Sequence, residues 1–226
     1  MPNKCVNQTV RLFTTRADAR VAPSRPAGYA RCWADENEIR MTDQRTEIEI
    51  VAYDPTWPAA FEAEAVRLWS TLQGVALRID HHGSTSIPGL SAKPVIDIQI
   101  SVPELQPLAT YGERLEILGY VHVPSADDAF SPFFHRPVSW PHSHHVHVVA
   151  RGGRDERRTL AFRDYLRDHV DDAREYERLK SHLAGRFAGN DPESREAYAN
   201  AKTDFIAKIV AVALSSEYPR ELGRRA

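Results

Sequence analysis

HHGSTSIPGLSAKPVIDIQI, residues 81 to 100, is the stretch on which the reading of this chain turns. Its second half runs on as PVIDIQISV and alternates Val95, Asp97, Gln99 and Ser101 with Ile96, Ile98, Ile100 and Val102, the two-residue period of a strand. One face is core; the other is polar and carries Asp97 and Gln99 side by side. In the first half, Gly83 lets the backbone turn tightly with N–H groups aimed into one concavity. Ser84, Thr85 and Ser86 add hydroxyls, which makes a nest suited to phosphate oxygens. Asp97 offers a hard oxygen to Mg²⁺, the ion that would bridge such phosphates, and Lys93 brings a point charge on a long stem. Read alone, the stretch leaves two readings open: a phosphate cradle feeding a metal at Asp97, or a structural turn between two buried strands.

Outward from this stretch the pattern is that of a mixed fold. IEIVAY at 48 to 53 alternates like a short strand, and AAFEAEAVRLWSTLQ at 59 to 73 places Phe61, Ala65, Leu68 and Leu72 on one helical face. VALRIDHHG resumes the strand pattern. Beyond the motif, Leu105, Leu108, Tyr111, Leu115 and Leu118 predict a second helix closed by Gly119, and GYVHV a strand. DDAFSPFFHRP is read as a strand or loop near an opening. HHVHVVA at 144 to 150 is a further strand with His145 and His147 on one face. The rest is helical, one segment from about Glu156 to Phe187 broken near His169 and another from about Glu193 to Leu214. Strands followed by gathered helices imply α/β or α+β, a small sheet flanked by helices with a helical C-terminal part.

Composition narrows the function classes. A net charge of −2 and a pI near 6.6 supply no general field for a polyanion, which argues against nucleic acid as a partner and leaves room for a local basic pocket. Cys5 and Cys32 form neither a disulfide framework nor a CxxC centre, so a reducing cytoplasm is the expected compartment. The longest apolar run, FIAKIVAVAL at 205 to 214, is short and interrupted by Lys208, so no membrane span is expected. Residues 1 to 40 carry seven Lys or Arg against four Asp or Glu, keep no apolar period and are broken by Pro23, Pro26 and Gly28. They are read as a disordered extension, residues 41–216 as the folded domain, and 217–226 as a flexible tail.

Two further groups bear on chemistry. The H-x-H pair His145 and His147 sets two imidazoles in parallel, able to ligate a divalent metal or, when protonated, to hold phosphate. His142 and His144 lie close in sequence, while His122, His169 and His182 read as surface or capping residues. In the late helices Arg163, Tyr176 and Lys180, and Tyr198 with Lys202 at i,i+4, are candidates for second contacts, though DDAREYERLK also offers ordinary surface ion pairs.

HHGSTSIPGLSAKPVIDIQISV closely resembles the signature of the GrpB-like family, and HHVHVV followed by FRDYLRDHVDDAREYERLKSHLA resembles that family's later block. The similarity covers roughly Val51 to Leu214. It implies a nucleotidyltransferase-like fold, with a Gly-Ser on a short helix after the first sheet strand and a carboxylate pair on the next. Gly83 and Ser84 match the Gly-Ser, Asp97 the first carboxylate, and Gln99 stands where the second would be. A Gln carbonyl is a neutral donor, so the chain departs from the family pattern where two metals need ionised oxygens.

The resemblance implies binding of a nucleoside triphosphate with Mg²⁺, or another divalent metal, and transfer of a nucleotidyl or phosphoryl group to a small-molecule acceptor. In that expectation Asp97, His145 and His147 are catalytic and Gly83, Ser84, Thr85, Ser86, Lys93, Lys180 and Lys202 hold phosphate. The metal lies on Asp97, Gln99, His145 and His147. A metal-dependent phosphate-ester hydrolase and a non-catalytic nucleotide-binding or accessory domain are the alternatives. The base, the acceptor and the oligomeric state leave no signature in the chain.

Overall fold

Five strands make one mixed sheet in the order β1-β2-β5-β4-β3: β1 Arg78–His82, β2 Ile96–Val102, β3 Val121–Val123, β4 Phe133–Arg136 and β5 His144–Ala150. The computed structural model describes residues 48–187, 189 and 191–220, all within a compact unit that begins at Asp43. The extension expected over residues 1–40 lies outside the described residues. β2 pairs antiparallel with β1 and parallel with β5, and β5 pairs antiparallel with β4. The α/β architecture read from the sequence is the one observed.

The apolar face of β2 decides where the first helices go. Ile96, Ile98, Ile100 and Val102 join Val146 and Val148 of β5 in a core closed by α1 (Trp57–Thr71) and α2 (Ala109–Ile117). Phe61, Ala65, Leu68 and Leu72 of the first helical stripe are all buried there. α2 ends at Leu118, after which Gly119 takes φ 83° and turns the chain into β3.

The polar face of β2, read from the sequence as presenting Asp97 and Gln99 side by side, is covered over its far half. α3 (Arg154–Asp168) crosses it, and Gln99 and Ser101 are both fully buried. Ser101 Oγ donates to Glu156 Oε1 at 2.5 Å, and Asp80 of β1 is paired with Arg78 at 2.5 Å and Arg163 at 3.5 Å. Burial of Ser101, Glu156 and Asp80 is tolerable because each has a charged or hydrogen-bonding partner.

α4 (Val170–Arg186) follows α3 after a break at His169. There the Nδ1–H donates to the Tyr165 carbonyl at 2.8 Å, and the ring stacks on Tyr165 with centroids 3.8 Å apart. The single helix expected from Glu193 to Leu214 is instead α5 (Pro192–Asn200) and α6 (Thr203–Ser215). Asn200 and Thr203, weak helix formers, flank the break.

Two other expectations are corrected. IEIVAY is no strand: Val51 makes a single antiparallel bridge with Ala92, its N–H and C=O both bonded at 2.9 Å. Extension of that ladder toward Glu49 would need an N–H from Pro94, which has none. Residues 217–220 do not behave as a tail, because Tyr218 is buried and donates to Asp168 Oδ2 at 2.7 Å.

Candidate functional site

β1 ends at His82 and the chain reverses at Gly83, with φ 67° and ψ −172°. A Cβ at this position would stand 2.2 Å from Asp97 Oδ2 and 2.8 Å from Asp97 Cβ and Cγ. Glycine is required because the Asp97 carboxyl packs directly on the turn. Ser84–Ser86 then form one 3₁₀ turn, which sends successive side chains in different directions. Only Ser84 reaches the cleft described next. Thr85 Oγ1 donates to the Val95 carbonyl at 3.1 Å and lies 3.0 Å from His81 Nε2; Ser86 Oγ donates to the Gly83 carbonyl at 2.6 Å. Thr85 and Ser86 therefore hold the turn together and do not extend into the expected phosphate cradle.

A cleft of about 700 Å³ opens between the sheet and the late helices. Asp97, Phe133, His145 and His147 form its sheet side; Lys180 comes from α4, Arg195 and Tyr198 from α5, and Lys202 from the α5–α6 break. The strand register assembles the floor. Asp97 stands opposite His145 and Gln99 opposite His147 in the parallel β2–β5 pair, while His82 stands opposite Asp97 on the other side.

His145 Nδ1 lies 3.2 Å from Asp97 Oδ1, and His145 Nε2 lies 3.2 Å from His142 Nδ1. With Nδ1–H donated to the carboxylate, Nε2 accepts from His142, whose ring stacks on His135 at 3.8 Å. Burial alone would raise the Asp97 carboxyl. The hydrogen bond from His145, together with the charges that His145, His82 and His147 carry when protonated, overcomes it and holds the group well below the usual carboxylate range. Burial lowers His147 to about 4, His142 to about 4 and His82 to about 3, so these imidazoles are neutral near pH 7.

Three lysines face Asp97 across the cleft. The Nζ atoms of Lys93 and Lys202 each sit 4.2 Å from the centroid of the Tyr198 ring, and Lys180 Nζ sits 4.9 Å from that of Tyr176 while donating to the Ser91 carbonyl. Burial first, and then the charge of Lys202, lower Lys93 to about 8 and Lys180 to about 7. Burial lowers Lys202 to about 8.

Arg163 is not part of this site. Its guanidinium donates to the His81 carbonyl at 3.0 Å and to Asp164 at 2.7 Å, beside a separate cavity of about 220 Å³. His144 turns to the core face of the sheet, 3.2 Å from Arg136. His169 caps a helix and His182 is exposed, as expected of them, whereas His122 is half-buried between Asp128, 3.2 Å away, and the Phe134 ring.

The sequence reading missed His82, Arg195 and Trp140. Alternation in RIDHH could have placed His82 beside Asp97, and Arg195, Tyr198 and Lys202 recur at helical spacing. Arg195 lies over the Trp140 ring at 4.6 Å, a contact that left no signal in sequence.

The donor set does not fit a two-metal centre. Among the described residues Asp97 is the one carboxylate on the sheet side of the cleft, with Asp127 and Glu196 lining it elsewhere; Gln99 is fully buried, does not line the cleft, and both its amide atoms lack hydrogen-bond partners. Among the described residues no group of three His, Cys, Asp or Glu is arranged to hold a metal ion. The expectation that Gln99 faces the site as a ligand is thus corrected, because α3 covers that part of the strand.

A model of the GrpB protein family matches residues 47–211. The chain belongs to the GrpB family. A UPF0157 protein of Pseudomonas aeruginosa is 36% identical over 198 residues, which is 86% of this chain and 76% of that protein. One of Halalkalibacterium halodurans is 37% identical over 171 residues, 75% of this chain and 84% of that protein. The crystal structure of GrpB from Enterococcus faecalis superposes with a TM-score of 0.66 at 33% identity, covering 75% of this chain and 99% of that one. A dephospho-CoA kinase of Mycolicibacterium paratuberculosis is 32% identical over 189 residues, 70% of this chain, and the match spans 46% of its own length. In this GrpB-family chain the matched region contains every residue of the cleft, from Ser84 to Lys202. A short turn follows β1 and Asp97 lies on β2, while Gln99, at the position of the second carboxylate, does not reach the cleft. Among the described residues no helix is long and apolar enough to cross a membrane.

Proposed function

We propose that the cleft binds a nucleoside triphosphate by its phosphates and passes a nucleotidyl or phosphoryl group to a small acceptor, with His145 as general base. The supporting observation is the placement of three lysines and Ser84 across one cleft from an imidazole ordered by Asp97. The carboxylate fixes Nδ1 as the protonated nitrogen and so presents Nε2 as the acceptor. An acceptor hydroxyl replaces His142 as donor to Nε2, its oxygen attacks phosphorus, and its proton passes to His145. Attack at the α-phosphorus breaks the α–β bridging bond and releases pyrophosphate; attack at the γ-phosphorus releases the nucleoside diphosphate. The lysines offset charge on the phosphates and the leaving group. No step of this reading passes through a metal, given the donor set.

A second reading, nucleotide binding without turnover, is favoured by Gln99, which removes the second carboxylate. The match to part of a dephospho-CoA kinase accords with either, as a nucleotide-handling domain joined to another enzyme. The test is incubation of the full chain with nucleoside triphosphates and a small-molecule acceptor mixture, with and without Mg²⁺, read by mass spectrometry. Transfer products, lost by roughly 10²–10⁴-fold in His145→Gln with nucleotide binding retained, support catalysis. Binding without any product favours the second reading, phosphate release to water alone identifies a hydrolase, and absence of nucleotide binding overturns all three.

A further inference from the structure

We infer that this cleft holds a chain of phosphates without a divalent metal, Lys93, Lys180 and Lys202 supplying the countercharge that carboxylate-bound cations supply in a two-metal site. The inference rests on the reading of the cleft as a phosphate site and concerns what neutralises the ligand.

Three observations carry it. The first is the donor set: one carboxylate on the floor, a buried Gln in place of its partner, and no three-residue metal group among the described residues. The second is the placement of the cations. Lys93 enters from the loop after the Ser84 turn, Lys180 from α4 and Lys202 from the α5–α6 break, and all line the cleft that Ser84 and Asp97 also line.

The third is their pairing. Among the described residues none of the three ammonium groups forms an ion pair with a carboxylate; their close neighbours are the Tyr198 and Tyr176 rings and the Ser91 carbonyl. Tyr198 is buried with Lys93 and Lys202 on its ring, which fixes the two ammonium groups as a pair in the absence of ligand. Cations brought together by burial, against their mutual repulsion and with no carboxylate partner, are stabilised when a polyanion arrives. Burial lowers all three lysines; the charge of Lys202 adds to the lowering of Lys93 and Lys180, and Asp97 opposes it in each case. Asp127 and Glu196 also line the cleft, so the cationic character is local to the three lysines and is not a property of the whole wall.

A compact oligophosphate suits this arrangement better than a single phosphate, because three separately anchored ammonium groups need several anionic oxygens to pair with. The shared chemistry is that of inorganic tripolyphosphate and of the tail of a nucleoside triphosphate, and a monophosphate comparison separates chain binding from adventitious anion binding.

The experiment is calorimetric titration of the full chain with inorganic tripolyphosphate, ATP and AMP at about pH 6, below the lysine values, in EDTA and again in excess Mg²⁺. Tripolyphosphate and ATP are expected to bind in EDTA within about threefold of one another and at least tenfold tighter than AMP. Lys93→Gln and Lys202→Gln, both at half-buried positions where the fold is expected to persist, each weaken tripolyphosphate roughly tenfold to a hundredfold in EDTA. Asp97→Asn separates the two electrostatic schemes: it strengthens or leaves unchanged binding both in EDTA and in Mg²⁺, since it removes a negative charge facing the phosphates, whereas a metal bridge through Asp97 requires a loss in Mg²⁺.

Binding that appears only with Mg²⁺ overturns this inference and leaves the phosphate reading standing. So does unaltered binding in EDTA by both lysine variants, weakened binding in Mg²⁺ by Asp97→Asn, or AMP affinity equal to that of tripolyphosphate. Absence of binding by all three ligands in both buffers overturns the phosphate reading as well.

Discussion

Replacing Gly83 by alanine tests whether the turn and the Asp97–His145 pair are one construction. The backbone at Gly83, φ 67° and ψ −172°, lies in a region populated essentially by glycine, and a side chain there costs about 1–3 kcal/mol. The added Cβ would also meet Asp97 Oδ2 at 2.2 Å and two Asp97 carbons at 2.8 Å, so the carboxyl has to move. That displaces it from His145, 3.2 Å away, and gives up a charged hydrogen bond worth about 1.5–3 kcal/mol.

The two effects together destabilise the fold by about 2.5–6 kcal/mol. At about 2–4 °C per kcal/mol for a domain of this size, the melting temperature falls by about 5–24 °C. Gly74→Ala is the control, because Gly74 also has a positive φ of 75° but nothing lies within 4 Å of its added Cβ. It should cost only the left-handed penalty of about 1–2 kcal/mol. Urea denaturation of both variants, with imidazole NMR of His145 to follow Nδ1, measures the difference. Equal destabilisation by the two substitutions, with the His145 signal unchanged in Gly83→Ala, would refute the close packing of Asp97 on the turn.

Other substitutions test neighbouring parts of the construction. Gln99→Glu places a carboxylate at a fully buried position whose cross-strand partner is Asp80, and should cost about 3 kcal/mol or more in urea denaturation with no gain in Mg²⁺ affinity by calorimetry. Lys180→Met removes a buried cation at the expense of one donor to the Ser91 carbonyl. It should raise stability by about 0.5–2 kcal/mol near pH 7 while weakening tripolyphosphate, and lower stability would show that the ammonium supports the fold. Ser101→Ala leaves Glu156 one hydrogen bond short in a buried position and should cost about 1.5–3 kcal/mol; a change within about 0.5 kcal/mol would show that bond to be dispensable. Lys180 is lowered from 10.5 to about 7, with Lys202, Glu177 and Asp97 facing it, so between those values the unfolded chain binds the extra proton. The lysine contribution therefore makes stability rise with pH across that window, and wild type should show this slope more strongly than Lys180→Met.

The sequence by itself determined the elements whose signal is local. Alternation in PVIDIQISV, and the spacing of Phe61, Ala65, Leu68 and Leu72, follow from the two-residue and 3.6-residue periods of the backbone, and each is legible in a short window. The same locality made Gly83, Ser84, Asp97 and the H-x-H pair readable as candidates. Tertiary structure decided which of them meet. Parallel pairing of β2 with β5 across some forty intervening residues sets Asp97 against His145, and no local period specifies that register. α3 lies over the far half of the polar face, so Gln99 is buried while Asp97, two residues earlier, reaches the cleft. The break between α5 and α6 brings Lys202 to the Tyr198 ring already shared by Lys93. Side-chain type and spacing are properties of the chain; the burial that lowers these lysines, and the charges that face them, exist only once distant segments pack together.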